Sequence, residues 1–183
     1  MLSTPTLARI PLHSRQVHFQ GFERADGLFD IEATLLDTKA AAFEVEGEGR
    51  WEPGQPIHGM SLRICIDRDF VVRDIESSMD AFPHGECLGA RDPMRQMIGC
   101  SVRKGWRQAI EERLGRIQGC AHLRELLFNM GTVAFQSLAV HMHAANRASG
   151  KAPAPMGGCL AWDPAGPMVE RIYPQFYIRP EKA

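Results

Sequence analysis

The stretch RQVHFQGF (residues 15–22), the turn RADG (24–27) and the run LFDIEATLLDT (28–38) decide the fold. In both runs polar and apolar residues alternate, which is the pattern of β-strands with one buried face. On the second run Phe29, Ile31, Ala33 and Leu35 share one face, and Leu28, Asp30, Glu32 and Thr34 share the other. The two runs therefore predict a β-hairpin, within an N-terminal extension over residues 15–46.

A second hairpin and then helices are predicted farther along the chain. MSLRICI (60–66) and FVVRDIE (70–76) are β-rich runs on either side of the polar turn DRD (67–69), and residues 47–55 are predicted to be a connecting loop. After a further loop rich in Gly and Pro, apolar residues recur at helical spacing over 103–114 and, as a longer helix, over 121–145. A short run at 168–173 suggests one more strand.

Strands that precede helices predict an α+β fold, in which the two hairpins form an antiparallel sheet packed against C-terminal helices. The length of 183 residues is typical of one domain, and we place it over residues 9–178. Within it we distinguish the N-terminal hairpin extension at 15–46, a core at 56–147 and an irregular segment at 148–183.

The composition is that of a globular protein with an internal division of charge. Hydrophobic residues make up 44% and charged residues 23%, which excludes a disordered tail, and the net charge of −1 gives no reason to expect nucleic acid or an anionic membrane as a partner. Between residues 91 and 147 there are nine basic and four acidic residues, so that segment carries +5 and the remainder −6. Two differently solvated faces would explain this division. The alternative is that the basic segment attracts an anionic substrate.

The cysteines indicate the cellular compartment in which the protein is expected. There are five of them, an odd and scattered set, in a chain without a charged-then-apolar leader and without an apolar run of about 20 residues. We therefore expect a cytoplasmic protein whose thiols are free, either buried or acting as ligands. Cys65 and Cys100 fit the core, because free Cys is among the most commonly buried residue types.

Three positions could bring imidazole and thiol groups to one edge of the sheet. His58 precedes the second hairpin, Cys87 follows it, and Cys120 begins the long helix, with His122 two residues later. These residues would converge if the helix crosses the hairpin, and Cys and His together suit zinc or iron. Each has a plainer interpretation, as a buried thiol or as a surface histidine.

This layout resembles that of iron–sulfur cluster scaffold proteins of the NifU and SufE-like type. The resemblance is carried by HGMSLRI (58–64), the turn at 67–69, Cys87 in the following loop and GCAHL (119–123). In that family the metal ligands come from the loop before the core hairpin, the loop after it and the start of a late helix. The resemblance implies a scaffold-like core and a metal site at His58, Cys87 and Cys120, with His58 standing where the scaffolds use Cys and Asp.

A second resemblance covers residues 9 to 178. The segments RADGLFDIE (24–32), DTK (37–39), PIH (56–58), GW (105–106), GCAHL (119–123), EL (125–126), AFQ (134–136) and the late Cys159 look like a bacterial family known as domain of unknown function 2889. Its members tend to accompany genes for the breakdown of aromatic compounds and acyl-CoA, which implies a catabolic role. The resemblance adds support for the metal site, with His122 as the expected fourth ligand and Cys159 as its competitor.

Other polar residues are candidates for catalysis or substrate binding. If His122 is not a ligand, it could shuttle a proton. Asp30 and Glu32 share a strand face, where one carboxyl could be protonated and the other charged, unless both are solvated charges. Arg24 would contact the substrate, unless it only belongs to the turn at residues 24–27. Trp106 would line an apolar pocket, unless it belongs to the core.

Together these residues predict a small metal-dependent enzyme. The three ligands would hold a zinc or iron ion with an open position, where it acts on a bound water or a substrate oxygen, and His122, Asp30 or Glu32 would move the proton. We expect a hydrolase or lyase for a small carboxylate, aromatic or not, or an acyl thioester. No nucleic acid or membrane is expected as a partner, and a homo-oligomer is left open. The alternative is a non-enzymatic metal, sulfur or iron–sulfur cluster scaffold.

Overall fold

The computed structural model describes residues 1–180 of the chain. Their contacts form two compact units, Met1–Ser137 and a second unit that begins at Leu138, and the boundary falls inside the longest helix. The first unit contains the whole sheet and all the residues discussed below as a candidate site. The extent of a single domain over 9–178 remains a prediction.

The described residues form strands and helices in the order expected for an α+β protein. They are β1 (His13–Glu23), β2 (Phe29–Lys39), β3 (Phe43–Val45), β4 (Gly49–Trp51), β5 (Pro56–Ile66), β6 (Val72–Ala81), α1 (Trp106–Leu114), α2 (Ala121–Ala148) and α3 (Pro167–Ile172). Strands β1, β2, β5 and β6 form an antiparallel sheet in that spatial order, and β3 pairs only with β4. This confirms the predicted α+β fold with an antiparallel sheet and C-terminal helices.

Two local predictions were wrong. Residues 47–55 are not a plain loop, because β4 lies there and pairs with β3 as a small hairpin inserted between β2 and β5. The predicted strand at 168–173 is the helix α3, which begins with Pro167, a residue whose fixed φ suits a first helical position. The segment 148–183 is therefore not wholly irregular, and its last three residues lie outside the described part of the chain.

Alternation along β2 decides which face of the sheet is buried. Its inward residues are at most 2% exposed: Phe29, Ile31, Ala33, Leu35 and Asp37. The residues between them are half-buried or exposed. Strand pairing continues the buried face onto β5, where Leu62 and Ile64 lie opposite Ala33 and Ile31 and are equally buried. The sheet therefore has one buried face and one open face.

Helix α2 lies along β1 on the buried face. Near the helix start Glu125 forms an ion pair with Arg15, and farther along Ser137 approaches Gly21, where an added Cβ would lie 1.9 Å from the Ser137 Oγ. The six strand residues and twelve helix residues between these contacts each span about 20 Å. Strand and helix therefore run side by side in the same direction, and the apolar stripe of the helix is fully buried.

The segment between β6 and α2 also belongs to the core. Two consecutive 3-10 turns, Gly85–Ala90 and Asp92–Met97, replace the predicted loop, and the second of them buries Met94 and Met97. Trp106 begins α1, and its indole N–H donates to the carbonyl of Leu127 at 2.7 Å. Within residues 1–180, no helix is both long and apolar enough to cross a membrane.

Candidate metal centre

A row of polar residues crosses the buried face of the sheet at one end of its strands. Strand pairing places Arg15 of β1 opposite Asp37 of β2, and Asp37 opposite His58 of β5. Directly opposed residues of antiparallel strands share a face, so the three side chains lie in a line across three neighbouring strands. The line lies where β2 ends and β5 begins.

The Asp37 carboxylate is buried and makes three side-chain hydrogen bonds, with His13 also nearby. Arg15 donates from Nε to Oδ1 at 2.8 Å and from Nη2 to Oδ2 at 2.7 Å. The Nδ1 of His58 lies 3.0 Å from Oδ2, and the Nε2 of His13 lies 3.3 Å from Oδ1. Both carboxylate oxygens are therefore engaged by neighbouring side chains, and Asp37 would have to give up one of these contacts to bind a metal ion.

The charge of Asp37 is maintained by its partners. Burial by itself would raise the pKa of this carboxyl, but the hydrogen bonds and positive charge of Arg15, together with His58, outweigh burial and hold the pKa below its ordinary value. Asp37 is therefore an anion at neutral pH. A carboxylate in this state only accepts hydrogen bonds, so the Nδ1 of His58 donates to it and the Nε2 is the ring nitrogen that Asp37 does not contact.

His58 lies against His122, which belongs to the first turn of α2. The two ring centroids are 4.0 Å apart and the ring planes are inclined by 39°. Burial lowers the pKa of His122, and the neighbouring His58 and Arg15 lower it further. His122 is consequently a neutral imidazole at pH 7, which is the form that binds a metal ion.

One group in the described part of the chain brings three potential ligand atoms within 4.8 Å of one another: Asp37, His58 and His122. Cys120 is not in this group, but its Sγ is 3.7 Å from the Nδ1 of His122. Cys87 is not in the group either, and lies in the 3-10 turn Gly85–Ala90. Of the predicted ligands, the structure therefore brings His58 and Cys120 to this corner and does not bring Cys87.

The predicted catalytic carboxylates lie on the other face of the sheet. Asp30 and Glu32 alternate with the buried residues of β2, so they occupy its open face, away from His58 and His122. Arg24 is on that open side as well, where it pairs with Asp30 at 3.4 Å. The structure does not bring these three residues to the candidate centre.

The remaining sequence candidates are placed by their burial. Trp106 is 6% exposed and belongs to the core, although its ring also borders an open cavity on the first unit. Cys65 and Cys100 are buried, which confirms that they are core residues. Cys159 is exposed and belongs to the second unit.

Asp37 and Arg15 are the site residues that sequence reasoning missed. The sequence carries one signal for Asp37, because it continues the inward series of β2 at a spacing of two, where a buried charge must find partners. No comparable signal exists for Arg15. Its role depends on the pairing of β1 with β2, which places it opposite Asp37.

Comparison with known proteins gives one family. The family described as "Protein of unknown function (DUF2889)" matches residues 13–136, which is more than half of the chain. The chain belongs to this family. The matched residues include Arg15, Asp37, His58, Cys120 and His122, so the DUF2889 region contains the whole candidate centre. No curated protein and no solved structure matches the chain.

Proposed function

We propose that this DUF2889 domain is a metal-dependent enzyme in which His58 and His122 hold one zinc or iron ion, with Cys120 as the third protein ligand. The observation that carries the proposal is the close approach of the two imidazoles, with Asp37 on the far nitrogen of His58. Metal-bound histidines usually donate their second ring N–H to a carboxylate, which fixes the tautomer and the ring orientation. Three protein ligands leave one position for water or substrate, as in catalytic zinc sites.

The ligand atoms and the charges of these residues fit a zinc or iron ion. Asp37 is satisfied by Arg15, His13 and His58, so its role is to orient His58 and not to bind the ion itself. Arg15 places a positive charge near the centre, and the carboxylates of Asp37 and Glu125, which it contacts, offset that charge. Imidazole and thiolate are the ligands that zinc and iron share.

The chemistry would be divided between the ion and the chain. A bound ion would lower the pKa of a coordinated water or polarise a substrate oxygen. Asp37 keeps His58 in one tautomer, and Arg15 keeps Asp37 ionised. The side chain of His13 lies 3.3 Å from Asp37 and is 42% exposed. We assign hydrolysis or lyase chemistry to this centre.

The substrate in this proposal is a small carboxylate, aromatic or not, or an acyl thioester. The excess of basic residues between 91 and 147 supports an anionic substrate. Asp30, Glu32 and Arg24 have no part in it, because the buried face of the sheet carries the centre and these residues lie on the open face.

The alternative proposal is a metal, sulfur or iron–sulfur cluster scaffold with a NifU or SufE-like core. It has in its favour Cys120 at the start of a late helix that packs on an antiparallel sheet. A cluster or a closed tetrahedral ion would need a further ligand, for which Cys87 is the sequence candidate. A sulfide-to-iron charge-transfer spectrum that is lost in Cys87→Ser would favour the scaffold over the enzyme.

The test of the preferred proposal is metal analysis of the purified protein after equilibration with zinc or ferrous iron and removal of free metal. The variants are His58→Ala, His122→Ala and Cys120→Ser. His18→Ala is the matched control, because His18 is an exposed histidine of β1, and Cys159→Ser is the control for the loss of a thiol. Circular dichroism confirms that each variant is folded.

Wild type and both controls are expected to retain about one ion per chain. His58→Ala and His122→Ala are expected to retain less than about a tenth of that amount, because each removes a direct ligand. Wild type that takes up no ion, or histidine variants that are folded and retain it, would overturn the proposal.

A further inference from the structure

Two adjoining cavities on the first unit form a groove that neither the family nor the candidate centre explains. One has a volume of about 390 Å³ and borders the start of α1, and the other, of about 330 Å³, borders the β5–β6 turn. Both are lined by Val102, Arg103, Gly131 and Thr132, so they are parts of one surface, which we call the Arg103–Arg107 groove. Volumes of about 300–1,000 Å³ are those of small-molecule sites.

The groove carries two guanidinium groups without carboxylate partners. Arg103 lies over the ring of Phe70, with 6.0 Å from its Cζ to the ring centroid, and Arg107 lies over Phe128 at 4.9 Å. None of the ion pairs among residues 1–180 involves either arginine, and neither cavity is lined by Asp or Glu. Contact with a ring face holds a guanidinium in place and leaves its N–H donors available for an anion.

Several other arginines of the same unit are neutralised by a carboxylate. Arg15 binds Asp37, Arg63 binds Glu76 and Arg124 binds Glu111. The excess positive charge of the 91–147 segment is thus partly concentrated, unneutralised, at the groove. An anionic ligand would complement it.

The second cavity of the groove is largely apolar. Phe70, Val102 and Phe135 line it, together with the methyl-bearing Thr132. Phe70 has a φ of 65°, a left-handed conformation that is unfavourable for a residue with a side chain, and it is nevertheless 2% exposed. The surrounding packing therefore holds this ring in place as a fixed part of the groove.

Gly131 allows α2 to pack closely against Trp106 beside the groove. A Cβ at this position would lie 3.0 Å from the Cδ1 of Trp106, so the helix surface is close to the indole here. The indole N–H is already used by the carbonyl of Leu127. Trp106 thus contributes apolar surface and no free donor to the groove.

We propose that the Arg103–Arg107 groove binds an amphipathic carboxylate. The carboxylate would be held by Arg103 and Arg107, which can each present paired N–H donors to it. The apolar body would lie in the second cavity, against the half-buried Phe135 and the small exposed parts of Phe70 and Val102. An inorganic anion would contact only the two arginines, and a neutral apolar molecule would contact only the apolar residues of the groove.

This site is separate from the proposed metal centre. The groove residues of α2, from Phe128 to Phe135, are about 9–20 Å along the helix axis from His122, at 1.5 Å per residue. The inference does not depend on a metal ion. Its test can therefore succeed or fail independently of the proposed function.

The test is isothermal titration calorimetry of the full chain with three probes. Octanoate has a carboxylate and a long alkyl chain, acetate has the carboxylate without the long chain, and octanol has the long chain without the carboxylate. The charge variant is Arg103→Gln/Arg107→Gln, and Arg95→Gln is its matched control, because Arg95 is an exposed arginine that lines neither cavity. Thr132→Trp fills the groove from an exposed helix position, where the larger side chain does not enter the core.

Octanoate is expected to bind at least about tenfold more tightly than acetate or octanol, since it alone makes both kinds of contact. The double arginine variant should lose about tenfold or more in octanoate affinity, and Thr132→Trp should abolish binding. Arg95→Gln should leave octanoate binding unchanged. Equal affinity for octanoate and octanol, equal affinity for octanoate and acetate, or octanoate binding that survives Thr132→Trp would each overturn the proposal.

Discussion

Asp37 is the residue on which the candidate centre depends. It is fully buried, yet it carries a charge, and it can do so because Arg15 and His58, from the two neighbouring strands, hydrogen-bond to it. The consequence for function is indirect. In the proposed centre Asp37 does not itself bind the ion, but it determines which nitrogen of His58 is free to do so.

Asp37→Asn tests this role. The Asn side chain keeps the shape but replaces one acceptor oxygen by a donor that faces Arg15 or His58, so we expect a loss of about 2–3 kcal/mol in the free energy of unfolding. We also expect metal affinity to fall by about 10–100-fold, the usual effect of removing a carboxylate behind a metal-bound histidine. Urea denaturation and zinc titration measure the two effects.

The control for this variant is Asp69→Asn, which changes an exposed aspartate outside the centre. It should leave both quantities within about 0.5 kcal/mol of wild type. Zinc affinity that is unchanged in folded Asp37→Asn would show that the carboxylate does not orient a ligand.

Among the secondary-structure elements, α2 and β1 together form the candidate metal centre, because α2 runs along β1. Ser137 contacts Gly21 at one end of this pair, and Glu125 contacts Arg15 at the other. The close approach at Gly21 fixes the distance between helix and sheet. The start of the helix, with Cys120 and His122, is thereby held over His58.

Gly21→Ala should disturb this packing. The new Cβ would lie 1.9 Å from the Ser137 Oγ and 3.0 Å from its Cβ, and rotation of the hydroxyl removes only the first contact. We expect a loss of about 1–3 kcal/mol in unfolding free energy, as for other overpacked contacts. Thermal or urea denaturation measures it.

A double-mutant cycle with Ser137→Gly separates the clash from other effects. The second change removes both contacting atoms, so Gly21→Ala should be less destabilising in its presence. Gln20→Ala, at the neighbouring exposed position of β1, is the control and should have little effect. A Gly21→Ala variant as stable as wild type would contradict the packing described for α2.

The β5–β6 turn depends on a second carboxylate, Asp67. Its Oδ1 accepts the backbone N–H groups of Asp69 and Val71, both at 2.9 Å, and its Oδ2 accepts from Arg73. Burial would raise the pKa of Asp67, but these hydrogen bonds outweigh burial and lower it. A carboxyl whose pKa is lowered on folding contributes stability above its unfolded pKa, and that stability is lost as the pH falls through the folded pKa.

Asp67→Asn should therefore have a pH-dependent effect. At pH 7 it should cost about 1 kcal/mol, since Asn can still accept from the backbone but not from Arg73. The difference from wild type should shrink as the pH falls below about 4. Urea denaturation from pH 7 down to pH 3 measures it, and a difference that stays constant over this range would contradict the role of the Asp67 charge.

For the whole molecule, the fold could be predicted from the sequence better than the site. Alternation along 28–38 is a local pattern, and it correctly predicted β2 and its buried face. Asp37 interrupts that pattern with a charge, and its partners Arg15 and His58 are 22 and 21 residues away in sequence. Such a group is visible only once the register of three strands is known.

The prediction of a strand at 168–173 failed because the local pattern there is ambiguous. Six residues at 168–173 fit a strand or a short helix equally well, and Pro167 at the first position favours the helix. Cys87 was predicted as a ligand from its place after a hairpin. Two consecutive 3-10 turns occupy that segment, and the structure places Cys87 outside the group of potential ligands.

X-ray absorption at the zinc K-edge of zinc-loaded wild type tests the central claim most directly, because it counts the ligands by type and distance. We predict a shell of about two nitrogens from His58 and His122 at about 2.0–2.1 Å, one sulfur from Cys120 at about 2.3 Å, and one light atom from solvent. The imidazole contribution should fall in His58→Ala and stay the same in His18→Ala. A shell without imidazole, or one that is identical in wild type and His58→Ala, would contradict the account.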